Sequence, residues 1–231
     1  MSIHEAIQAY QGDAVGEHHR YRSWEHCYGY FRQARPRGLA AERDQAALQL
    51  AFYLASWGMY RGSSFLLQHA YTVHRNVIDL VADPCFDALW DTDLGANLTD
   101  TRFVPRVREL ILGVRAAYKP FAPAIGSSQP TDTLITKVVL GTFGCLPAVD
   151  RYFVDGLKSE GIKYSSLTDE LVRLLLDFCQ AHLAELQAEQ AGIERSGGVR
   201  YSAMKLVDMY FWQIGYEKAA NKASSDATKE N

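Results

Sequence analysis

Apolar residues recur at three- and four-residue spacing along most of the chain, which is the period of one buried face of an α-helix. No segment shows a convincing strand pattern. The spacing predicts helices with approximate bounds 3–10, 18–31, 40–57, 65–81, 99–118, 132–141, 148–157, 165–191 and 201–216. We therefore expect an all-α fold of roughly eight to ten helices.

The breaks between these segments indicate the domain organisation. Residues 1–216 read as one all-helical domain, and the polar tail 217–231 is expected to fray. The longest Pro/Gly/Ser stretch, 119–130, is the best candidate for a hinge or a nucleic-acid-facing loop. If the domain is divided into two lobes, we expect them to meet near 119–131.

Composition limits the class of protein. The chain has 231 residues, of which 48% are hydrophobic, so it can bury a substantial core. Its formal charge of −3 argues against a surface coated with basic residues. A local basic face is still compatible with that charge, because arginines cluster at 20–37 and at 102–115. Ordinary solvated helix faces are the alternative interpretation of both clusters.

Metal and membrane signals are missing from the sequence. The four cysteines, Cys27, Cys85, Cys145 and Cys179, are far apart and form no C-x-x-C pair. We therefore expect no metal site, no metal cluster and no cofactor. The chain begins with polar residues and has no apolar run long enough for a membrane span. We expect a cytoplasmic protein that does not contact a membrane.

The segment 132–157 carries the most specific signal and reads as helix, tight turn, helix. Thr131 or Asp132 can cap the first helix, and Gly141 and Gly144 lie where it should stop. Asp150 then falls in the first turn of the second helix. There the free N–H groups and the helix dipole stabilise an ionised carboxylate by ~0.3–1 kcal/mol on an exposed surface.

Three short motifs in this segment, at 138–140 (Val-Val-Leu), 143–144 (Phe-Gly) and 149–150 (Val-Asp), resemble the core of the helix-hairpin-helix DNA glycosylase superfamily. That superfamily contains endonuclease III and the adenine glycosylases. The resemblance covers roughly 25 residues and implies a glycosylase-like fold in which Asp150 is the catalytic carboxylate. A buried helix pair with a capping Asp would give the same pattern and is the alternative.

The chain also departs from this superfamily. The Gly-x-Gly hairpin that precedes the first helix is altered or missing, because only Gly-Ser-Ser-Gln-Pro at 126–130 lies in its place. The catalytic lysine of bifunctional members would fall near Leu134, and Lys137 is about one helical turn away. The cysteines that bind an iron–sulfur cluster in several members are absent. The resemblance therefore implies a monofunctional enzyme without a cluster.

Two aromatic segments are candidates for the walls of a base pocket or for a wedge. The first is an aromatic helical stripe, from which we select Trp24 with the adjacent Glu25 and His26. The second is the loop that follows the third helix, where Trp57, Tyr60 and Arg61 exceed what a connector needs. In both segments the alternative is that the aromatic side chains simply complete the core.

The remaining candidates concern phosphates and a second acid. We expect contacts to the DNA backbone from Ser127, Ser128, Thr133, Lys137 and Arg151. Asp208 lies on an otherwise apolar final helix and needs a partner. It is either a satisfied structural carboxylate or a second acidic group beside Asp150.

These observations lead to one hypothesis and one alternative. The hypothesis is a monofunctional DNA glycosylase, a monomer acting on double-stranded DNA, that flips out and excises a modified or damaged base. Foreign DNA, such as that of a phage, is a candidate source of the base. Asp150 would stabilise the oxocarbenium-like sugar and activate water. The alternative is a noncatalytic all-helical module that binds nucleic acid or protein.

Overall fold

The computed structural model describes residues 1–13, 18–62, 64–90, 100–122, 130–196 and 199–229. These residues form α-helices and short 3₁₀ turns and contain no strand, so the all-α prediction is confirmed. The α-helices of this described part are α1 (Ile3–Asp13), α2 (Arg22–Ala34), α3 (Arg43–Ser56), α4 (Arg75–Val81), α5 (Phe103–Tyr118), α6 (Asp132–Thr142), α7 (Arg151–Ser159), α8 (Asp169–Ala181), α9 (Leu183–Arg195) and α10 (Ala203–Lys229).

Three predicted helices differ most from the structure. The segment predicted at 65–81 is α-helical only from Arg75. Before it lie two 3₁₀ turns, which the extended residues His69 and Ala70 separate. The long helix predicted at 165–191 is two helices, which meet at the non-helical residue His182. The final helix, predicted at 201–216, continues to Lys229 in the structure, so the described part of the polar tail is helical. The alanines and lysines of this tail favour a helix. The segment as a whole is nevertheless too polar to show a buried helical face.

Helix α10 runs through the centre of the molecule, and its first half is buried on all sides. Its most extensive packing is against α7. Two glycines allow this approach, because a Cβ atom at Gly156 or at Gly215 would lie 1.9 Å from a carbonyl oxygen of the facing helix. The position of α7, and therefore of the residues at its N-terminus, is fixed by this crossing.

Helix α6 is buried along almost its whole length and begins as predicted. The Thr131 hydroxyl accepts a hydrogen bond from the Leu134 N–H at 3.2 Å, which satisfies one of the free donors of the first turn. The helix ends at Thr142, and Gly144 just beyond its C-cap has a φ of 68°, in the left-handed region. A Cβ atom at that position would also lie 2.7 Å from the Tyr28 ring.

Within the described residues, no helix combines the length and apolar character needed to cross a membrane. All four cysteines are free thiols, and Cys85 is the exposed one. Across the same residues, no three His, Cys, Asp or Glu side chains come together in a way that could hold a metal ion.

Candidate active-site cleft

A cleft of about 570 Å³ lies where the C-terminal end of α3 and its following loop meet the N-terminal end of α7. Helices α6 and α10 form its floor. The residues lining it are Arg20, Ala55, Ser56, Trp57, Gly58, Met59, Arg61, Thr133, Lys137, Asp150, Arg151, Tyr152 and Trp212. Four of these side chains are cationic and one is a carboxylate, so the cleft is positive although the chain as a whole is negative.

Asp150 is the residue that caps α7. Its Oδ1 atom accepts a hydrogen bond from the Phe153 N–H at 3.1 Å, and its Oδ2 atom lies 3.4 Å from Nζ of Lys137. The side chain keeps 18% of its surface exposed and lines the cleft. The carboxylate therefore caps the helix with one oxygen and has the other beside a buried cation at the cleft.

The buried turn that leads to Asp150 is held by side chains rather than by helical hydrogen bonds. The Ala148 N–H donates to Oδ1 of Asp208 at 2.9 Å, and the Val149 N–H donates to Oγ1 of Thr136 at 2.9 Å. The Thr133 hydroxyl donates to the Val149 carbonyl at 2.8 Å. Because the N–H groups of Ala148 and Val149 donate to side chains, α7 begins at Arg151. The sequence had predicted a start at residue 148.

Lys137 is buried, with 3% of its surface exposed. Its ammonium lies 4.9 Å from the centre of the Trp57 ring as well as beside Asp150. Burial lowers the pKa of Lys137, and Lys205 adds to this effect, whereas Asp150 and Asp208 oppose it. A lysine in this position loses its proton more easily than one in water.

Aromatic rings form one wall of the cleft. Trp57 stacks on Tyr21 with ring centres 5.3 Å apart and meets the edge of Trp212 at 6.4 Å. Tyr152, at the start of α7, meets Trp212 edge to face at 5.2 Å. The indole N–H groups of Trp57 and Trp212 are buried and have no hydrogen-bond partner within the described residues. The wall therefore offers aromatic ring surface to a ligand in the cleft.

Arg20, Arg61 and Arg151 surround the mouth of the cleft and are exposed. Among the described residues, none of these three guanidinium groups forms an ion pair. Several other surface arginines do form ion pairs, for example Arg37 with Glu42 and Arg75 with Asp44. Unpaired arginines around a positive cleft are typical of a site for an anion such as phosphate.

A buried histidine anchors the loop that follows α3. The Tyr60 hydroxyl lies 2.7 Å from Nε2 of His74, and the Tyr118 hydroxyl lies 2.6 Å from Nδ1. Burial lowers the pKa of His74 to about 3, so the ring is neutral at physiological pH. One tyrosine therefore donates to the ring and the other accepts from it. This network fixes the position of the loop that carries Trp57 and Arg61.

The structure brings six of the predicted site residues together in the cleft: Trp57, Arg61, Thr133, Lys137, Asp150 and Arg151. Five others do not line it: Trp24, Glu25, His26, Tyr60 and Asp208. Ser127 and Ser128 lie outside the described residues.

The residues outside the cleft are engaged in other contacts. The indole N–H of Trp24 donates to the Leu140 carbonyl at 2.9 Å. Glu25 accepts from the Tyr201 hydroxyl at 2.6 Å, and His26 is exposed. Asp208 accepts from the Ala148 N–H and lies 2.8 Å from Nζ of Lys205. Asp208 thus has the bonding expected of a structural carboxylate, and Asp150 is the acidic residue of the cleft.

Sequence reasoning did not select Arg20, Tyr152 and Trp212 as site residues. The helical period placed Trp212 in the core, and nothing in the period shows that one edge of the ring reaches a cleft. Arg20 was noticed only as a member of a basic cluster. Tyr152 directly follows Asp150 and Arg151, and this adjacency to a proposed catalytic residue was the one available signal.

A second cavity of about 550 Å³ lies at the other end of α2 and is lined by Arg32, Arg35 and Trp90 among others. The length of α2 places the two cavities about 20 Å apart. The carboxylate of the second cavity belongs to Asp87, which is paired with Arg35 at 2.8 Å. The carboxylate of the second cavity is therefore neutralised by an exposed ion pair with Arg35. Asp150, in contrast, lies in a cleft whose three arginines form no ion pair among the described residues.

No protein-family model, no curated protein and no solved structure matches this chain.

Proposed function

We propose that this protein is a monofunctional DNA glycosylase that flips a modified or damaged base into the Asp150 cleft and hydrolyses its N-glycosidic bond. The observation that carries the proposal is the combination of one carboxylate, an aromatic wall and three unpaired arginines in a single cleft. A capping Asp in a plain helix pair would explain the hydrogen bond to Phe153. It would not explain the cleft and its unpaired cations.

The shape of the cleft suits a single extruded nucleotide. Its volume of about 570 Å³ is within the range of small-molecule sites. An extruded base must recover the stacking that it loses in the duplex, and a base on an aromatic side chain gains about 1–3 kcal/mol. Trp57 and Tyr152 line the cleft and offer ring surface for such a contact. Arg20, Arg61 and Arg151 would hold the flanking phosphates.

Asp150 can perform the central chemical step. When the bond to the base breaks, positive charge develops on the sugar ring and its anomeric carbon. A carboxylate fixed by the Phe153 N–H stabilises that charge without having to reorganise during the reaction. The same carboxylate can accept a proton from the water that attacks the anomeric carbon. The products are the free base and an abasic site.

Base release by the wild type and by Asp150→Asn tests this proposal. The substrates are DNA duplexes that each contain one of uracil, hypoxanthine, oxidised guanine, an alkylated purine or a hydroxymethylated pyrimidine. Strand breakage after alkali reports abasic sites. We expect Asp150→Asn to lower the rate by about 10²–10⁴-fold. Asn caps helices as well as Asp does, so α7 should keep its start.

Asp155→Asn is the matched control, because Asp155 lies on the same helix and pairs with Lys158 away from the cleft. This variant should release base at the wild-type rate. If Asp150→Asn also retains the wild-type rate, the proposed catalytic role is wrong. If the wild type binds the duplexes but leaves no abasic site in any of them, a noncatalytic DNA-binding module is the better interpretation.

A further inference from the structure

Lys137 has hydrogen-bonding capacity that the resting structure does not use. An ammonium group has three N–H donors. Nζ of Lys137 lies 3.4 Å from Oδ2 of Asp150, which engages one of these donors. The ammonium group also contacts the face of the Trp57 ring. No other acceptor for it occurs among the described residues. Because Lys137 lines the cleft, a free donor is available to a molecule bound there.

Charged groups from every neighbouring element act on this lysine. Asp150 is at the start of α7, while Asp208 and Lys205 are on α10. The two acids favour its charged form; burial and Lys205 favour the neutral form, and burial has the largest effect, so the pKa of Lys137 is lowered. The site therefore contains a lysine that can give up its proton.

Resting on the proposed function, we infer that Lys137 donates a proton to the departing base and that Asp150 returns a proton to Lys137. As the C–N bond breaks, its electron pair goes to the base, which takes a proton from Nζ. Water then attacks the anomeric carbon and gives one proton to the Asp150 carboxylate. That proton passes to the neutral amine across the 3.4 Å contact. The net reaction is hydrolysis, and both residues recover their original charge.

This proton transfer also resolves an electrostatic conflict in the cleft. A permanently charged lysine next to Asp150 would weaken the stabilisation that the carboxylate gives to a cationic sugar. Once Lys137 has given its proton to the base, the amine is neutral. The negative charge of Asp150 then acts on the sugar without an adjacent ammonium group, at the moment when the positive charge on the sugar is greatest. The interior position of Lys137 favours contact with a base rather than with a phosphate.

The test compares Lys137→Arg and Lys137→Met with the wild type on two duplexes. One contains a base that the wild type releases, and the other contains its fluorinated analogue, which departs more readily as an anion. Arginine keeps the positive charge beside Asp150 but does not give up a proton. We expect both variants to release the first base about 10²–10⁴-fold more slowly. We expect them to release the fluorinated base with a much smaller loss.

Three results would contradict the proton transfer by Lys137 or the proposed function. Near wild-type activity of Lys137→Arg would show that the charge matters and not the proton. Equal losses on the two bases would assign Lys137 a structural role. The ratio between the two substrates does not depend on the fraction of folded protein, because each variant is compared with itself. If the wild type releases none of the modified bases tested, the proposed function is wrong, and the proton transfer is wrong with it.

Discussion

Gly156 of α7 lies directly against the backbone of Phe211 in α10, so that a Cβ atom at Gly156 would be 1.9 Å from the Phe211 carbonyl oxygen. Backbone cannot move aside in the way that a flexible side chain can. The crossing of the two helices therefore requires glycine at this point. Because Asp150 caps α7, the same crossing determines where the carboxylate lies relative to Lys137.

Gly156→Ala should destabilise the protein, because the added methyl group has to push α7 away from α10. Overpacking of a well-packed core costs about 1–3 kcal/mol, and a clash with backbone should place this variant at or above the upper end. Urea unfolding followed by circular dichroism measures the change. Gly12→Ala is the control, since a Cβ atom there has no neighbour within 4 Å. That control should gain about 0.5–1 kcal/mol from helix propensity.

The parts of the fold that the sequence predicted depend on local signals. The helical period identified the helices around the cleft, and Thr131 caps α6 as its residue type indicates. Asp150 was selected because the predicted helix–turn–helix placed it in a first helical turn and because the short motifs around it resemble those of the DNA glycosylase superfamily. These features involve residues within a few positions of one another, where sequence spacing translates directly into geometry.

The composition of the cleft depends on contacts between distant parts of the chain. Trp212 on α10 and Arg20, which precedes α2, reach it from opposite ends of the sequence, so their contribution depends on tertiary packing. The start of α7 was predicted at residue 148 because nothing local shows that Asp208, sixty residues away, accepts the Ala148 N–H. Helical period does not contain this kind of information.

Thr136 should be more important for the turn before Asp150 than its neighbour Thr142 on the same helix. Both are buried, and both hydroxyls donate to the carbonyl four residues earlier. Only Thr136 also accepts, from the Val149 N–H at 2.9 Å. Thr136→Val leaves that N–H without a partner, which should cost about 1–3 kcal/mol. Thr142→Val should cost less, and urea unfolding of the two variants makes the comparison.

A further consequence concerns activity. If the turn positions the carboxylate, Thr136→Val should also lower base release under conditions where the variant is folded, and Thr142→Val should leave it unchanged. Equal stability of the two variants would mean that the Val149 N–H finds another acceptor. Our account of how Asp150 is positioned would then be wrong.

The buried His74 should make the protein less stable in acid. Its pKa is lowered to about 3 by burial, whereas an unfolded histidine titrates near about 6.5. Between these values the unfolded state binds a proton that the native state does not. Its contribution to stability is therefore fully present above about pH 6.5 and is lost as the pH falls toward 3, by up to about 1.4 kcal/mol per pH unit.

Urea unfolding of the wild type and His74→Gln between neutral and mildly acidic pH measures this effect. Glutamine can both donate and accept but does not titrate, so the stability of the variant should fall less steeply with pH. His26→Gln, which removes an exposed histidine, should follow the wild type. Parallel curves for wild type and His74→Gln would show that the imidazole already binds its proton in the native state.

The unpaired arginines should give DNA binding a characteristic dependence on salt. Each cation that contacts a phosphate releases counterions and contributes about 0.9 to the slope of log K against log salt for duplex DNA. Arg61→Gln and Arg151→Gln should each weaken binding and reduce the magnitude of that slope by about 1.

Binding is measured by fluorescence anisotropy in an Asp150→Asn background, so that the duplex is not converted during the titration. Arg173→Gln is the control, because Arg173 is an exposed arginine on α8 that lies 4.0 Å from Asp169 and does not line the cleft. Its slope should equal that of the parent. Equal slopes for all three variants would place the DNA on another surface of the protein, and the arginines around the cleft would then need a different anion.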